Sequence, residues 1–227
     1  MPGYGAACLE ILKMLVLHTY FRSSAAYRVR IALALKGLAY QSVPVHLVRG
    51  GGEQHMAEFA ALNPAELVPV LVDGAVTLTQ SLPIIEYLDE LHPAPPLLPA
   101  DAAGRARVRA LAQLIACEMH PLNNLRVLQY LEGPLGVDAT AKTAWYAHWV
   151  KLGFVALEAM LQDHHTGTFC HGDTPTLADC CLVPQLYNAE RFQVPMEAYP
   201  RVRRIGAACR ALPAFQQAAP EVQADAL

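Results

Sequence analysis

The stretch Met14–Gly37, MLVLHTYFRSSAAYRVRIALALKG, passes from a strand pattern to a helix pattern within a few residues. From Met14 to Phe21, β-formers and aromatics dominate. Ser23 or Ser24 then offers a helix N-cap, and apolar residues recur at helical spacing from Tyr27 to Lys36. Gly37 supplies the stop. Tyr40–Leu47 predicts a second strand, Arg49-Gly50-Gly51-Gly52 a loop, and Glu53–Leu62 a short helix. Pro69–Val72 and Val76–Thr79 flank Asp73-Gly74 and predict a hairpin. Gln80-Ser81 leads into a helix that ends at Leu91. The order is β-α-β-α-β-β-α. A helical crossover needs a parallel pair and a hairpin an antiparallel one, so the four-stranded sheet is predicted to be mixed.

Beyond His92 the texture changes. Pro93-Ala94-Pro95-Pro96-Leu97-Leu98-Pro99 reads as a stiff linker, and nearly everything after it reads as helix. Asp101 caps a long stretch reaching Glu132. Further helices are predicted over Asp138–His164 and Thr176–Arg191, with shorter ones near Val202 and Phe215. Thr176-x-x-Asp179 has the spacing of a capping box. The expected organisation is an N-terminal extension at 1–13, an α/β domain at 14–92, a Pro-rich linker at 93–100 and an all-α domain at 101–227.

Bulk composition narrows the function classes. The chain has 227 residues, 54% of them hydrophobic, and a net charge of −3. A sizeable core is therefore affordable, and a nucleic-acid partner is not expected. No stretch is long and apolar enough to span a bilayer, and residues 1–13 lack the charged head and apolar core of a signal peptide. The six cysteines form no C-x-x-C, and no His spacing completes a zinc site, so no metal is expected. Scattered thiols suit a reducing, cytoplasmic compartment. His120 and His148 are read as packing or hydrogen-bonding residues, and Cys180-Cys181 as buried fillers.

Three loop ends carry candidate chemistry. Ser23 and Ser24 place hydroxyls beside the free amides of a helix N-terminus, where an anion such as a thiolate is stabilised. The plain alternative is an ordinary N-cap. Val68-Pro69 opens a strand with a residue that cannot donate to the ladder, which marks an edge or a cis bond. Ser81, after Gln80, can cap its helix or hold a ligand carboxylate.

Taken together, Ser23-Ser24, Val68-Pro69 and Gln80-Ser81 in this order resemble the thioredoxin-like domain of glutathione transferases, most of all the zeta class. The run Ser23-Ser24-Ala25-Ala26-Tyr27-Arg28-Val29-Arg30-Ile31-Ala32-Leu33 is similar to the class signature Ser-Ser-Cys-x-Trp-Arg-Val-Arg-Ile-Ala-Leu. The likeness continues at Ala61-Leu62-Asn63-Pro64, Leu67–Leu71, Gln80–Leu88, His120–Leu128, Asp179–Gln185 and Asn188–Phe192. It implies a glutathione transferase fold with a thioredoxin-like domain and an all-helical domain, a two-fold homodimer and glutathione as cofactor. It assigns Ser23 to the thiolate, with Ser24 close behind, Val68 and Pro69 to the cysteinyl part, Gln80 and Ser81 to the γ-glutamyl end, and Gln54 to the tripeptide. Arg22, Arg191 and Asn124 are the expected contacts of the substrate.

The implied activity is cis–trans isomerisation of a maleyl-type dicarboxylic acid, maleylacetoacetate to fumarylacetoacetate, in aromatic amino acid catabolism. Such a reaction needs a temporary nucleophile and cationic anchors for carboxylates, and Arg22 and Arg191 supply the planar forks. Leu125, following the asparagine pair, favours maleylacetoacetate over maleylpyruvate. Ala25 replaces the signature cysteine, which argues against thiol-based reductase chemistry at this helix. The rival readings are a maleylpyruvate isomerase, a general transferase or dehalogenase, and a non-catalytic binding module of the same fold.

Overall fold

In a computed structural model of the chain, residues 14–226 are described. The expected extension at 1–13 lies outside them. β1 (Leu15–Thr19) alternates buried and half-buried residues because its two faces meet different neighbours. It feeds α1 (Ser24–Leu35), whose first turn is capped by Ser23. β2 (Tyr40–Pro44) pairs with β1 in parallel, as a helical crossover requires. β2 is shorter than predicted and stops at Pro44, which has no N–H to extend a ladder. A short 3-10 turn at Arg49–Gly51 and another at Glu53–His55 precede α2 (Ala57–Leu62). β3 (Val70–Asp73) is antiparallel to both β1 and β4 (Val76–Thr79), giving the order β2-β1-β3-β4. The hairpin turn is one residue later than predicted: Asp73 pairs with Val76, and Gly74 takes the positive φ of 58° that the turn demands. α3 (Ser81–Leu91) packs on α1.

The chain divides into two units, one ending at Pro95 and taking back the residues from Gln217 onward, the other spanning Pro96–Gln216. The expected helical domain ran on to residue 227. The return of the tail to the first unit has a visible cause. Arg30 is only 1% exposed, in a helix whose buried residues are mostly apolar. Its guanidinium donates to Thr19 Oγ1 (3.0 Å), Tyr20 O (3.3 Å), Phe21 O (2.9 Å) and Ala218 O (3.1 Å). A buried guanidinium must find acceptors, and the tail carbonyl is one of them. Asp225 adds a bond from Phe21 N–H at 2.9 Å. Burial lowers the Arg30 pKa to about 10, which still leaves it charged at neutral pH. At the other end of α1, the Lys36 ammonium donates to Asp89, His92 O and Pro95 O, so the start of the proline-rich run is tied down and not merely a spacer.

In the second unit, the long helix predicted from Asp101 to Glu132 is broken. α4 (Ala102–Gln113) runs into a π-helical segment at Leu114–Met119 and a 3-10 turn at Pro121–Asn123, and a separate α5 (Leu125–Glu132) follows. Pro121 lacks the N–H a continuous helix would need there, and Asn124 caps the new helix. α6 (Ala139–Met160) is capped by Asp138, and α7 (Leu177–Arg191) starts on the capping box of Thr176 and Asp179. α8 (Pro200–Arg210) and α9 (Pro213–Ala218) complete the order. The core gathers around α7, which packs on α4 and α8. Cys180, Cys181 and Val183 are fully buried there, as expected of small fillers. No described helix is long and apolar enough to cross a membrane.

Candidate functional site

Strand register gathers the candidate residues of the first unit at one end of the sheet. Val70 opens β3 opposite His18 of β1 and opposite Thr79 of β4. The residues after β1, before β3 and after β4 therefore leave the sheet at the same end. These are Ser23-Ser24, Val68-Pro69 and Gln80-Ser81. Because β2 runs parallel to β1, the segment that follows it, with Gln54, departs there too. Sequence spacing alone does not show this convergence, since it depends on strand direction.

Ser23 holds β-region backbone angles (φ −68°, ψ 116°), and its Oγ accepts the Ala26 N–H at 3.2 Å. A serine hydroxyl has one proton and two lone pairs, so this cap leaves the O–H available to donate to an anion. The α1 macrodipole adds positive potential at the same place. Ser24 is buried in the first turn. The hydroxyl that caps the helix is thus that of Ser23, and the cap leaves its proton free to donate.

The Val68–Pro69 peptide is cis, and β3 begins only at Val70, so Val68 lies outside the ladder. The Val68 side chain packs with Tyr20, Val45, Phe59 and Val70. Gln80 is exposed and adopts φ +69°, uncommon for a residue with a side chain, at the N-cap of α3. Ser81 is buried, and its Oγ accepts from Arg28 Nη1 at 3.2 Å. Arg28 was not singled out from the sequence. Arg28 is 2% exposed, and its guanidinium links α1 to the first residue of α3 and adds positive charge where α3 presents its amides. The available signal was an arginine inside an apolar helical run.

Gln54 is buried, and its amide nitrogen reaches Leu47 O at 3.5 Å and His55 Nε2 at 2.9 Å. Its Oε1 is buried without a hydrogen-bond donor. Arg22 is half-buried. Its Nη2 donates to the Tyr20 hydroxyl at 3.0 Å, and its guanidinium lies 4.9 Å from the Phe21 ring centroid. Among the described residues, those contacts leave Arg22 next to the serine pair with no carboxylate paired to it.

Asn124 and Arg191 belong to the second unit. Asn124 accepts the Arg126 N–H at 3.3 Å with its side-chain oxygen, which is the helix-cap role. Arg191 is exposed in the last turn of α7, 5.0 Å above the Phe192 ring, which in turn stacks on Tyr146 at 3.6 Å. Burial raises the Tyr146 pKa, and the Arg191 charge opposes that rise. His148 is exposed and meets the Trp149 ring edge-on, a packing contact as expected.

The glutathione S-transferase N-terminal domain model matches residues 17–96, and the C-terminal domain model matches residues 143–205. A probable maleylacetoacetate isomerase of Vibrio cholerae is 58% identical over 93% of this chain and 98% of its own length. Among solved structures, a bacterial maleylpyruvate isomerase described as a zeta-class glutathione S-transferase superposes with a TM-score of 0.91 at 50% identity, covering 93% of this chain and 100% of its own. A maleylacetoacetate isomerase from Anaeromyxobacter dehalogenans 2CP-1, with glutathione bound in its active site, has a TM-score of 0.84 at 47% identity, covering 94% and 98%. With a serine-capped helix, a cis proline before the third strand and a serine opening the third helix at one sheet end, the chain belongs to the glutathione S-transferase family, in its zeta class.

Proposed function

We propose that the protein is a glutathione-dependent cis–trans isomerase of a maleyl-type dicarboxylic acid, converting maleylacetoacetate to fumarylacetoacetate in aromatic amino acid catabolism. The observation that carries the reading is Ser23: a helix-capping hydroxyl that still has a proton to donate, at the positive end of α1. The first unit fits the tripeptide. Gln54 offers a buried acceptor awaiting a donor, and Ser81, backed by Arg28, suits a carboxylate. Bound glutathione supplies a thiolate that adds reversibly to the cis double bond and lets it rotate as a single bond.

The chain's own residues do the rest. Ser23 holds the sulfur as an anion, with Ser24 behind it. Val68 and Pro69 line the cysteinyl part, and Gln80 with Ser81 holds the γ-glutamyl end. Arg22 and Arg191 bind the substrate carboxylates, with Asn124 at the substrate side, and the arginines steady the negative charge that builds on the substrate. Ala25 leaves α1 without a thiol of its own, so the nucleophile comes from the cofactor. A maleylpyruvate isomerase is the second reading, favoured by the 50% identity to the solved isomerase of that name.

The test is turnover of freshly made maleylacetoacetate and maleylpyruvate, each coupled to its matching hydrolase. Turnover that requires glutathione without consuming it supports the isomerase, and the faster substrate decides between the two readings. Product that retains glutathione would replace the isomerase with a transferase. Arg191→Ala should raise the KM for the dicarboxylate by roughly tenfold or more, the loss of one charge-assisted pair, while the KM for glutathione stays within about twofold. Unchanged constants would remove Arg191 from the site.

The active form is a two-fold homodimer, a reading supported by family resemblance and by the exposed apolar side chains of Tyr130, Leu135, Leu152 and Val155. Light scattering should give twice the chain mass of 24.7 kDa, and a monomer mass at enzyme concentrations would end that reading. The five described cysteines are free thiols, which supports a reducing, cytoplasmic location. Fractionation of the source cells tests it.

A further inference from the structure

The turn after α6 collects side chains that neither the fold nor the proposed chemistry uses. Asp163, His164 and His165 are exposed, and each offers one ligand atom within 4.8 Å of the other two. His165 Nδ1 lies 2.6 Å from Asp163 Oδ1, and His164 Nδ1 lies 3.8 Å from the same oxygen. The two imidazole centroids are 3.9 Å apart, and His165 stacks on His171 at 5.6 Å with the rings 9° from parallel.

This is not a loose surface pair. Thr166 and Gly172 form a β-bridge that closes the loop, and Gly172 N–H donates to His165 O at 2.8 Å. Arg107, from α4, donates to Thr166 Oγ1 at 2.7 Å and to Cys170 O at 2.8 Å, which fixes the loop to the helix. His165 N–H donates to Asp163 Oδ1 at 2.8 Å, so the carboxylate is aimed before any ion arrives.

We propose that Asp163, His164 and His165 bind one divalent transition-metal ion of the Zn2+ class, through two imidazole nitrogens and one carboxylate oxygen, with water completing the coordination. Ligand atoms about 2.0–2.2 Å from a tetrahedral ion stand about 3.3–3.6 Å from one another. The observed separations of 2.6 and 3.8 Å bracket that range, and rotation of two exposed rings closes the difference. The donor set selects the class. Imidazole with carboxylate suits Zn2+, Ni2+ or Cu2+. Mg2+ and Ca2+ prefer all-oxygen shells, and Cu(I) prefers sulfur.

The surrounding charges act in both directions. Asp163 Oδ1 faces both the backbone N–H of His165 at 2.8 Å and its ring nitrogen at 2.6 Å. Arg107 Nε lies 3.5 Å from Asp163 Oδ1 and opposes a dication, which weakens the binding. His171 covers one face of His165, with Arg107 Nη1 3.2 Å from its Nδ1.

The experiment is calorimetric titration of the full, untagged chain with Zn2+ alone, with no glutathione present, since its thiol chelates the ion. The expected result is one equivalent bound with a micromolar Kd. His165→Ala should weaken it about tenfold or more, and the His164→Ala/His165→Ala double variant should abolish it. Both residues are exposed, so the variants should keep the metal-free melting temperature. If the double variant proves unstable, His164→Ala alone gives the same comparison. Co2+ in place of Zn2+ should give a visible d–d absorption without a thiolate charge-transfer band, which excludes the exposed Cys117 as the ligand. Equal binding by the double variant, a thiolate band, or no binding tighter than millimolar overturns the proposal. Glutathione-dependent turnover is untouched by any of these outcomes.

Discussion

Replacing Ser23 with Ala is expected to lower kcat/KM for isomerisation by about 10²–10³, the effect of removing one preorganised donor from a reacting anion. The hydroxyl accepts the Ala26 N–H at 3.2 Å and keeps its own proton free to donate. Without it, the bound thiol returns toward the value of a free thiol, about 8.5. The sign follows directly. Stabilising the thiolate lowers the pKa, so the wild-type rate should level off at a lower pH than the variant rate, and alkaline pH should partly restore the variant. The substitution also removes an N-cap worth about 1 kcal/mol. Ser23→Gly separates the two effects, because Gly at an N-cap costs only a few tenths of a kcal/mol while lacking the hydroxyl. Gly should therefore be as slow as Ala but nearly as stable as wild type, and Ser23→Thr should recover most of the rate. A rate-versus-pH curve that does not move in either variant removes Ser23 from the chemistry.

The second large effect is on stability. Asp179 is fully buried at the start of α7 and accepts from Thr176 N–H and Thr176 Oγ1, both at 2.8 Å, from Cys170 N–H at 2.9 Å and from Cys209 Sγ at 3.7 Å. Asp179→Ala should cost about 3–5 kcal/mol, because the donors remain buried with nothing to accept from them. Asp179→Asn should cost roughly half as much, since the Thr176 hydroxyl can turn to accept from the new amide. Urea denaturation of the variants reads both numbers, and activity per folded molecule should be unaffected.

Burial raises the Asp179 pKa against the pull of its donors. The group therefore contributes most below its ordinary pKa, and its contribution declines as pH rises toward the elevated folded value. The gap between wild type and Asn should narrow over that range. A loss below 1 kcal/mol for the Ala variant would mean the Cys170 and Thr176 donors find other acceptors.

Much of this was legible in the residues. Element order in the first domain, the mixed sheet, a serine cap at Ser23 or Ser24, the Thr176–Asp179 box and most second-domain helices follow from local chemistry: apolar period, capping side chains, and glycine where φ must be positive. Within one element, neighbours in sequence are neighbours in space. The misplaced features are those where a local signal met a longer-range demand. The Asp101–Glu132 helix is continuous by pattern, but Pro121 withholds an N–H and the chain restarts at Asn124. Asn124, expected from the resemblance as a substrate contact, caps α5.

By itself, then, the sequence determined the elements and their order, because caps, turns and periodicity depend on residues a few positions apart, and its motifs carried the resemblance that implied the fold family and the chemistry. Tertiary structure alone decided what meets what. Strand direction brought Ser23, Pro69 and Ser81 to one sheet end, and Arg28 became the buried link between two helix starts. The need of the buried Arg30 guanidinium for acceptors drew the tail back to the first unit. A β-bridge between Thr166 and Gly172 closed the loop that carries Asp163, His164 and His165. Each of these rests on satisfying a charge or a hydrogen bond across many residues, and spacing along the chain carries no record of that distance.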